Sequence, residues 1–160
     1  GDLGEGILPA YGIFVHIAIA AMQLYAEDGH QDLQFTAGQL GLGGYDLVTS
    51  LEVIEHVADK AAFVAALEAA LADEGLMILS TPNRTPQSRL LLVEGAETLG
   101  MVPKGTHHWD DFITPLELHD LLDAAGLTMG NPMGIAWSVS RGLHVSDNLA
   151  LNYIVTATRR

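Results

Sequence analysis

Residues 45–82 read YDLVTSLEVIEHVADKAAFVAALEAALADEGLMILSTP, and this stretch decides the fold. Tyr45–Leu51 has the apolar character of a buried strand, and Leu76–Thr81 is a second apolar run, closed by Pro82. The segment between them, Asp59–Asp73, carries apolar residues at helical spacing. A strand, a helix and a strand in this order predict two parallel neighbours in an α/β sheet.

The predicted helix Asp59–Asp73 has a clear apolar stripe and a natural end. Gly75 stands where a glycine commonly closes a helix. Upstream of the central stretch, residues 17–28 predict an amphipathic helix that stops at Gly29, and Asp32–Ala37 predicts a short strand. The stripe of the central helix consists of Phe63, Leu67 and Leu71.

The downstream part continues the alternation. Residues 114–117, Thr-Pro-Leu-Glu, have the capping-box pattern of a helix start with proline at the first helical position, and Gly126 ends that helix. Residues 133–140 and 150–158 are extended, and we expect them to pair antiparallel at the sheet edge. The whole predicts one α/β domain over residues 1–160, with a Rossmann-like, doubly wound, mostly parallel sheet and a C-terminal antiparallel strand pair.

Composition sets limits on function. The chain has 160 residues, of which 49% are hydrophobic, so it can bury a core as one domain. Twenty acidic residues against seven Lys and Arg give a formal charge of −13, which disfavours binding to nucleic-acid phosphates. The sequence has no Cys, as is common in a reducing cytosol, and its longest apolar stretches are too short to span a membrane. We therefore expect a cytoplasmic location.

In doubly wound sheets, ligands bind beyond the carboxyl ends of the strands. That rule directs attention to four short segments: 4–6, 37–39, 51–56 and 80–84. The segment 51–56 contains Glu52, Glu55 and His56. If the strand turns directly into a helix there, these side chains share one face at spacings of three and four residues, and they could hold a hard divalent cation. Two alternatives stay open, in which they are polar residues at a helix start, or His56 is a general base.

Residues 84–104, RTPQSRLLLVEGAETLGMVPK, exceed what the sheet requires. Read as a helix from Pro86 to Leu99, the segment combines a leucine cluster with basic residues towards its ends. Such an element suits the surface of an anionic bilayer. The alternative is a lid helix that packs its leucines on the domain. The basic residues are Arg84, Arg89 and Lys104.

Four motifs resemble the ubiquinone-biosynthesis O-methyltransferase family, which are class I methyltransferases that methylate polyprenylated catechols. They are YDLVTSLEVIEHV at 45–57, STPNR at 80–84, MVPKGTHHWDDFITPLEL at 101–118 and LNY at 151–153. The resemblance covers about residues 17–160 in consistent order and spacing. It implies a class I methyltransferase fold with S-adenosylmethionine as methyl donor.

The resemblance also implies roles for individual residues. Within GTHHW at 105–109, His107 is expected near the acceptor hydroxyl, with the acceptor ring stacked on Trp109; the alternative is a surface loop whose Trp packs on the core. His107 and His56 are the candidate catalytic residues, and a Mg²⁺-type cation is expected on Glu52, Glu55 and His56. The residues expected to bind the cofactor are Gly4, Gly6, Gly38, Gln39, Leu51 and Glu52.

The first residues depart from the family pattern. A class I methyltransferase has a glycine loop of the form D-x-G-x-G-x-G, whose glycines let the backbone approach the cofactor. Here, Asp2-Leu3-Gly4-Glu5-Gly6 looks like that loop with two residues lost, and no acid follows Tyr11–His16 to hold the ribose. Two explanations stay open: residues are missing from within this part of the sequence, or the protein is a shortened relative.

The sequence thus predicts methyl transfer to a phenolic hydroxyl of a polyprenylated ubiquinone precursor. The expected partners are that acceptor and the inner face of an anionic membrane, in peripheral contact. Two other classes stay open. One is a non-catalytic scaffold component of a quinone-biosynthesis complex, and the other is a methyltransferase with a different small acceptor.

Overall fold

A computed structural model describes residues 43–95 and 109–160. The helix predicted at 17–28 and the strand predicted at Asp32–Ala37 lie outside the described residues. So do five of the candidate site residues: Gly4, Gly6, Gly38, Gln39 and His107.

Six strands and three α-helices make up the described part. The strands are β1 (Tyr45–Leu51), β2 (Leu71–Pro82), β3 (Leu127–Met129), β4 (Met133–Ser138), β5 (Gly142–Ser146) and β6 (Asn152–Arg159). The helices are α1 (Lys60–Ala70), α2 (Pro86–Ser88), which continues as a π-helical segment Arg89–Gly95, and α3 (Pro115–Ala124). Two 3₁₀ turns, Ile54–His56 and Trp109–Asp111, precede α1 and α3.

The strand–helix–strand unit forms as predicted, but its boundaries differ. β1 has the predicted bounds and pairs parallel with β2, with Leu51 opposite Ser80. The helix ends at Ala70 rather than Asp73, and β2 begins at Leu71, five residues earlier than predicted. Leu71 is buried and lies opposite Tyr45 in the sheet. Because this pairing holds Leu71 in an extended conformation, the helix ends before it.

Gly75 therefore lies within β2 and does not cap the helix. A Cβ atom at this position would stand 2.8 Å from both Leu71 Cδ1 and the Tyr45 carbonyl oxygen. The glycine lets β2 approach β1 closely at the point where their register shifts.

The strand order is β1-β2-β6-β4-β5, and β3 pairs with the end of β6 beside β4. The predicted antiparallel pairing of the two tail segments is present, with Gly134 opposite Tyr153. However, β6 lies between β2 and β4 and not at the sheet edge, because it pairs antiparallel with β2 as well. The sequence prediction missed β3 and β5, and β5 forms a hairpin with β4.

One face of the sheet carries the core. Side chains alternate along each strand, so partners in register share a face. The residues opposite one another on this face of β1, β2 and β6 pack against α1 and α3, which contribute Val64, Leu118 and Leu122. The sheet contributes Val48, Met77, Leu79, Tyr153, Val155 and Ala157.

The start of α3 confirms the predicted capping box. The Thr114 hydroxyl accepts a hydrogen bond from the Glu117 N–H, and the Glu117 carboxylate accepts one from the Thr114 N–H. Gly126, with a φ of 80°, follows the last turn as predicted. The helix predicted from Pro86 begins there, capped by Thr85, but widens to π-helical geometry from Arg89.

Across residues 43–95 and 109–160, every helix is too short or too polar to span a lipid bilayer.

Candidate functional site at the carboxyl ends of β1 and β2

The carboxyl ends of β1 and β2 meet the amino end of β6 at one edge of the sheet. Leu51 lies opposite Ser80, and Thr81 lies opposite Tyr153. We call this edge, with the turn of residues 52–56 that follows β1, the ligand edge. It holds a concentration of buried polar side chains: Glu55, Ser80, Thr81 and Asn83.

Glu52 makes a strained turn directly after β1. Its φ of 53° is left-handed, which is uncommon for a residue other than glycine. Two hydrogen bonds from the neighbouring strand hold it, since its N–H donates to the Ser80 carbonyl at 3.0 Å and its Oε1 accepts from the Ser80 hydroxyl at 2.7 Å. Strain of this kind is often found at functional sites. Leu51 precedes it with half of its surface exposed.

Glu55 is a buried carboxyl group within the 3₁₀ turn. Its Oε2 accepts a hydrogen bond from the Thr81 hydroxyl at 3.0 Å, and Thr81 is fully buried. Burial raises the pKa of Glu55 to about 7, and the nearby Glu52 carboxylate adds to that rise. Glu55 therefore exchanges a proton near neutral pH.

The predicted common helix face of Glu52, Glu55 and His56 is wrong. Only a single 3₁₀ turn, Ile54–His56, forms, and Glu52 precedes it in a left-handed conformation. The hydroxyl partners of the two glutamates, Ser80 and Thr81, are consecutive in β2 and so point to opposite faces of the sheet.

The predicted metal donors are accordingly not arranged as a set of three. His56 Nε2 lies 3.8 Å from Glu55 Oε1, and the His56 side chain is 38% exposed, whereas that of Glu55 is buried. Among the described residues, no group of three or more His, Asp or Glu side chains is placed to hold a metal ion. The described donors thus fit a divalent cation only as the pair Glu55 and His56.

Tyr153 and Asn83 connect the ligand edge to neighbouring loops through hydrogen bonds. The Tyr153 hydroxyl donates to the Ile113 carbonyl at 3.1 Å, and Asn83 Nδ2 donates to the Leu149 carbonyl at 2.8 Å. Burial, with the carboxylates of Glu117 and Glu55 nearby, raises the pKa of Tyr153 above its ordinary value, so it stays a neutral donor.

Arg84 links the segment after β2 to α3. Its guanidinium pairs with the Glu117 carboxylate and also donates to the Asp110 carbonyl. Partial burial alone would raise the pKa of Glu117, but hydrogen bonds from Thr114 and Arg84 hold it below the ordinary value. An open cleft of about 520 Å³ beside this pair is lined by charged side chains, among them Lys60 and Asp120, and by apolar ones such as Phe112 and Leu121.

Trp109 makes two contacts that the sequence did not indicate. Its indole N–H donates to the Thr85 carbonyl at 2.9 Å, and the guanidinium of Arg89 lies 5.6 Å from its ring centroid. The first contact fixes the ring, and the second is a cation–π interaction that occupies one of its faces. An acceptor ring stacked on Trp109 would therefore use the other face.

The structure brings four predicted site residues to the ligand edge: Leu51, Glu52, Glu55 and His56. The motif STPNR at 80–84 contains Ser80 and Thr81, for which the sequence alone predicted no role. No signal in the sequence marks them as partners of the two glutamates, because the pairing depends on the register of two strands. Gly4, Gly6, Gly38, Gln39 and His107 stay predictions.

Comparison with known proteins supports the resemblance seen in the sequence. Residues 11–130 match the family model described as a methyltransferase domain. The ubiquinone biosynthesis O-methyltransferase of Cereibacter sphaeroides is 39% identical over 171 residues, which cover 99% of this chain and 66% of that protein. The one from Methylobacterium sp. strain 4-46 is 41% identical over 72% of this chain and 47% of its own length. The chain thus spans 66% or less of these two relatives.

A solved structure supports the fold. The S-adenosylmethionine-dependent methyltransferase from Thermotoga maritima, described as a possible histamine N-methyltransferase, superposes with a TM-score of 0.56 at 16% identity. The match covers 79% of this chain and 62% of that one, and it confirms the predicted class I methyltransferase fold. The relatives at 34 to 41% identity confirm the resemblance, and the match of residues 11–130 shows that the chain belongs to the methyltransferase-domain family.

Proposed function

We propose that this protein transfers a methyl group from S-adenosylmethionine to a phenolic hydroxyl of a polyprenylated ubiquinone precursor. The observation that carries the proposal is the ligand edge, where consecutive hydroxyls of β2 fix the carboxyl groups of Glu52 and Glu55 beside the strand ends. The names of the relatives support the reaction and the pathway. The polyprenylated catechol follows from the resemblance of the motifs.

The reaction is an in-line displacement. The acceptor oxygen attacks the methyl carbon, the carbon–sulfur bond of the donor breaks, and the hydroxyl proton leaves to a base. The products are a methyl ether, S-adenosylhomocysteine and a proton. Such a reaction needs mainly positioning, a deprotonated acceptor and exclusion of water. No covalent nucleophile is needed, in keeping with a chain that has no Cys.

In this proposal, the end of β1 holds the methyl donor. The exposed Leu51 side chain offers an apolar contact, and Glu52 presents polar groups from a turn that two hydrogen bonds hold in place. The edge thus fits a ligand that is part apolar and part charged. Gly4 and Gly6 would approach its methionine part, and Gly38 and Gln39 its adenine.

Two groups on the same turn are candidates to receive the proton. His56 is accessible, and its Nε2 lies 3.8 Å from Glu55 Oε1. A Glu55 carboxyl group with a pKa near 7 stabilises an adjacent imidazolium whenever it is ionised. His107 is the other candidate base, by the resemblance.

A Mg²⁺-type cation also belongs to the proposal, with Glu55 and His56 as its donors in the described part. The chemistry it would supply is a lower pKa of the bound phenol. Because Glu52 is held on the other side of β2 by Ser80, it is not proposed as a third ligand. None of the steps given above uses the cation.

Segment 84–104 supports a peripheral membrane contact as part of the same proposal. Leu90 and Leu91 are exposed on the π-helical segment, next to Arg89. Exposed leucines beside an arginine suit an anionic bilayer. A polyprenyl acceptor would reach the ligand edge from such a surface, because the segment begins at Arg84, two residues after the end of β2.

The first experiment is calorimetric titration of the purified chain with S-adenosylhomocysteine. One-to-one binding is expected, followed by methyl transfer from radiolabelled donor to a prenylated catechol. Folded protein that neither binds nor transfers would overturn the proposal in favour of the scaffold alternative. Transfer to small catechols with no preference for a prenyl tail would instead favour a methyltransferase with a different small acceptor.

The cation is tested with chelator-treated protein. Mg²⁺ should restore turnover in the wild type and not in Glu55→Ala. Glu117→Ala is the matched control, since it removes a carboxylate that is paired with Arg84 outside the ligand edge. Equal turnover with and without chelator would remove the cation from the proposal and leave methyl transfer standing.

A further inference from the structure

The β4–β5 hairpin ends the sheet with a strand that has a neighbour on one side. β5 is last in the strand order, and within the described part of the chain it pairs with β4 alone. One row of its backbone N–H and C=O groups therefore faces away from the sheet and can pair with another strand. Proline or lysine commonly blocks such an edge. β5 reads GLHVS over Gly142–Ser146 and contains neither.

The side chains along this edge include large apolar ones that are exposed. Leu143 is 75% exposed and Val145 is 53% exposed. They alternate with His144 and so share one face of the strand. On β4, Trp137 lies opposite Leu143 and Ile135 lies opposite Val145, which continues the apolar face inwards. Contiguous apolar surface of this kind commonly marks an interaction site.

The sequence of the edge is complementary to itself. Residues 141–147 read RGLHVSD, with a basic residue just before β5 and an acidic residue just after it. If two copies pair antiparallel with His144 opposite the partner's His144, Leu143 lies opposite the partner's Val145. In the same register, Arg141 lies opposite the partner's Asp147. Apolar pairs and pairs of opposite charge both stabilise neighbouring strands, and a two-fold axis forms each contact twice.

The charges at the two ends of the edge are available to a partner. Arg141 and Asp147 are exposed, and within residues 43–95 and 109–160 neither makes an ion pair. Residues 131–146 contain no acid, so the apolar part of the edge brings no acidic groups together. The formal charge of −13 on the whole chain acts over longer distances, where physiological salt screens it beyond about 8 Å.

We propose that the outer edge of β5 binds a second copy of this chain, so that the two sheets join across a two-fold axis at His144. The contact consists of the five residues of each β5 and the charged residue at either end. Because the paired strands are short, we expect a reversible dimer whose population depends on concentration. The inference goes beyond the proposed methyl transfer and does not depend on it.

An engineered disulfide tests the register, since the chain has no Cys. His144→Cys places each new thiol opposite its equivalent, where the Cα atoms of paired residues stand about 4.5 to 5.5 Å apart, within the range that a disulfide spans. We expect a covalent dimer on non-reducing gels after mild oxidation.

Ser146→Cys is the matched control for the disulfide. In the proposed register, Ser146 lies opposite the partner's Gly142, so the two copies of residue 146 are about 14 Å apart. This variant should stay monomeric under the same oxidation. Cross-linking of both variants to the same extent, or of neither, would overturn the proposal.

Reversal of the two end charges tests the same contact without a covalent bond. Arg141→Asp and Asp147→Arg should each raise the dissociation constant of the dimer roughly tenfold or more, because each places like charges opposite one another twice. Sedimentation equilibrium measures this constant. An equimolar mixture of the two variants should form a dimer again, since one variant is acidic at both positions and the other is basic at both.

Asp120→Arg is the control for the charge reversals. It makes the same change of charge as Asp147→Arg on the exposed side of α3 and should not weaken the dimer. A wild type that stays monomeric up to about 1 mM would overturn the proposal and leave the edge to a strand of another protein. A dimer that neither single reversal weakens would also overturn it, because its interface would lie elsewhere.

Discussion

The ligand edge and the β4–β5 hairpin break the usual pattern of burial in opposite directions. At the ligand edge, polar side chains are buried, and the hydroxyls of Ser80 and Thr81 serve the carboxyl groups of two glutamates. On the hairpin, large apolar side chains such as Trp137 and Leu143 face solvent. Both regions lie at the same end of the sheet.

The contrast distinguishes two unfavourable contributions to the free energy of folding. A buried carboxyl group loses hydration and is tolerated only with hydrogen-bond partners, whereas an exposed tryptophan forgoes a gain from burial that another surface can supply. At the ligand edge, the loss of a single hydrogen-bonding atom is therefore expected to lower the stability of the protein. The exposed side chains of the β4–β5 hairpin contribute little to the stability of the free protein.

The largest difference between the regions is expected in stability. Tyr153→Ala should lower the free energy of unfolding by about 3 to 5 kcal/mol, because it empties a fully buried site in the core. Trp137→Ala should change it by about 0.5 kcal/mol or less, since the ring is mostly exposed. Urea unfolding measures both.

Tyr153→Phe refines this comparison. It keeps the ring and leaves the Ile113 carbonyl without its hydroxyl donor, at a cost of about 1 kcal/mol. Similar losses for Tyr153→Ala and Trp137→Ala would contradict the assignment of the two regions.

The buried carboxyl group of Glu55 predicts a dependence of stability on pH. Its folded-state pKa of about 7 lies above its ordinary value of 4.5, so the folded state holds this proton more tightly than the unfolded state does. The contribution is complete below pH 4.5 and is lost as the pH rises through 7, with an upper bound of roughly 3 kcal/mol. Glu55→Gln should remove it, as measured by urea unfolding at pH 5 and pH 8.

Glu117→Gln is the control with the opposite sign. The pKa of Glu117 is held below its ordinary value, so its contribution is present at neutral pH and is lost on acidification. Were both variants to show the same change in pH dependence, the burial of Glu55 would not be its cause.

A smaller effect is expected at Thr81. The hydroxyl of Thr81 favours the ionised form of Glu55, so Thr81→Val should move the midpoint of that pH dependence upward and cost about 1 to 2 kcal/mol near pH 8. Thr81→Ser keeps the hydroxyl and should keep the midpoint near that of the wild type. A shift in both variants would point to altered packing and not to the hydrogen bond.

Patterns among neighbouring residues correctly predicted the elements whose bounds depend on neighbouring residues alone. The apolar run of β1 gave the correct bounds, and the capping box at Thr114 gave the start of α3. The start of β2 was wrong because the polar run after Leu71 resembles a helix end, while pairing with Tyr45 keeps the chain extended. β5 was missed because glycine, histidine and serine interrupt its apolar residues, and only pairing with β4 defines it.

The candidate site was predicted as a set of residues but not as an arrangement. The motif at 52–56 pointed to Glu52, Glu55 and His56, and their position at the ligand edge agrees. Their directions depend on the left-handed turn at Glu52 and on hydroxyls 26 and 28 residues away in β2. Contacts over such separations follow from strand register, which spacing in the sequence does not encode.

The contact between Trp109 and Thr85 has a consequence for how this protein tolerates change. It ties Thr85, after the end of β2, to Trp109, just before α3, and so fixes the two flanks of the segment 86–108 to each other. For a loop anchored in this way, doubling the length costs about 0.6 kcal/mol in closure entropy. We therefore expect a change of length between Arg89 and Trp109 to cost the methyltransferase sheet little stability.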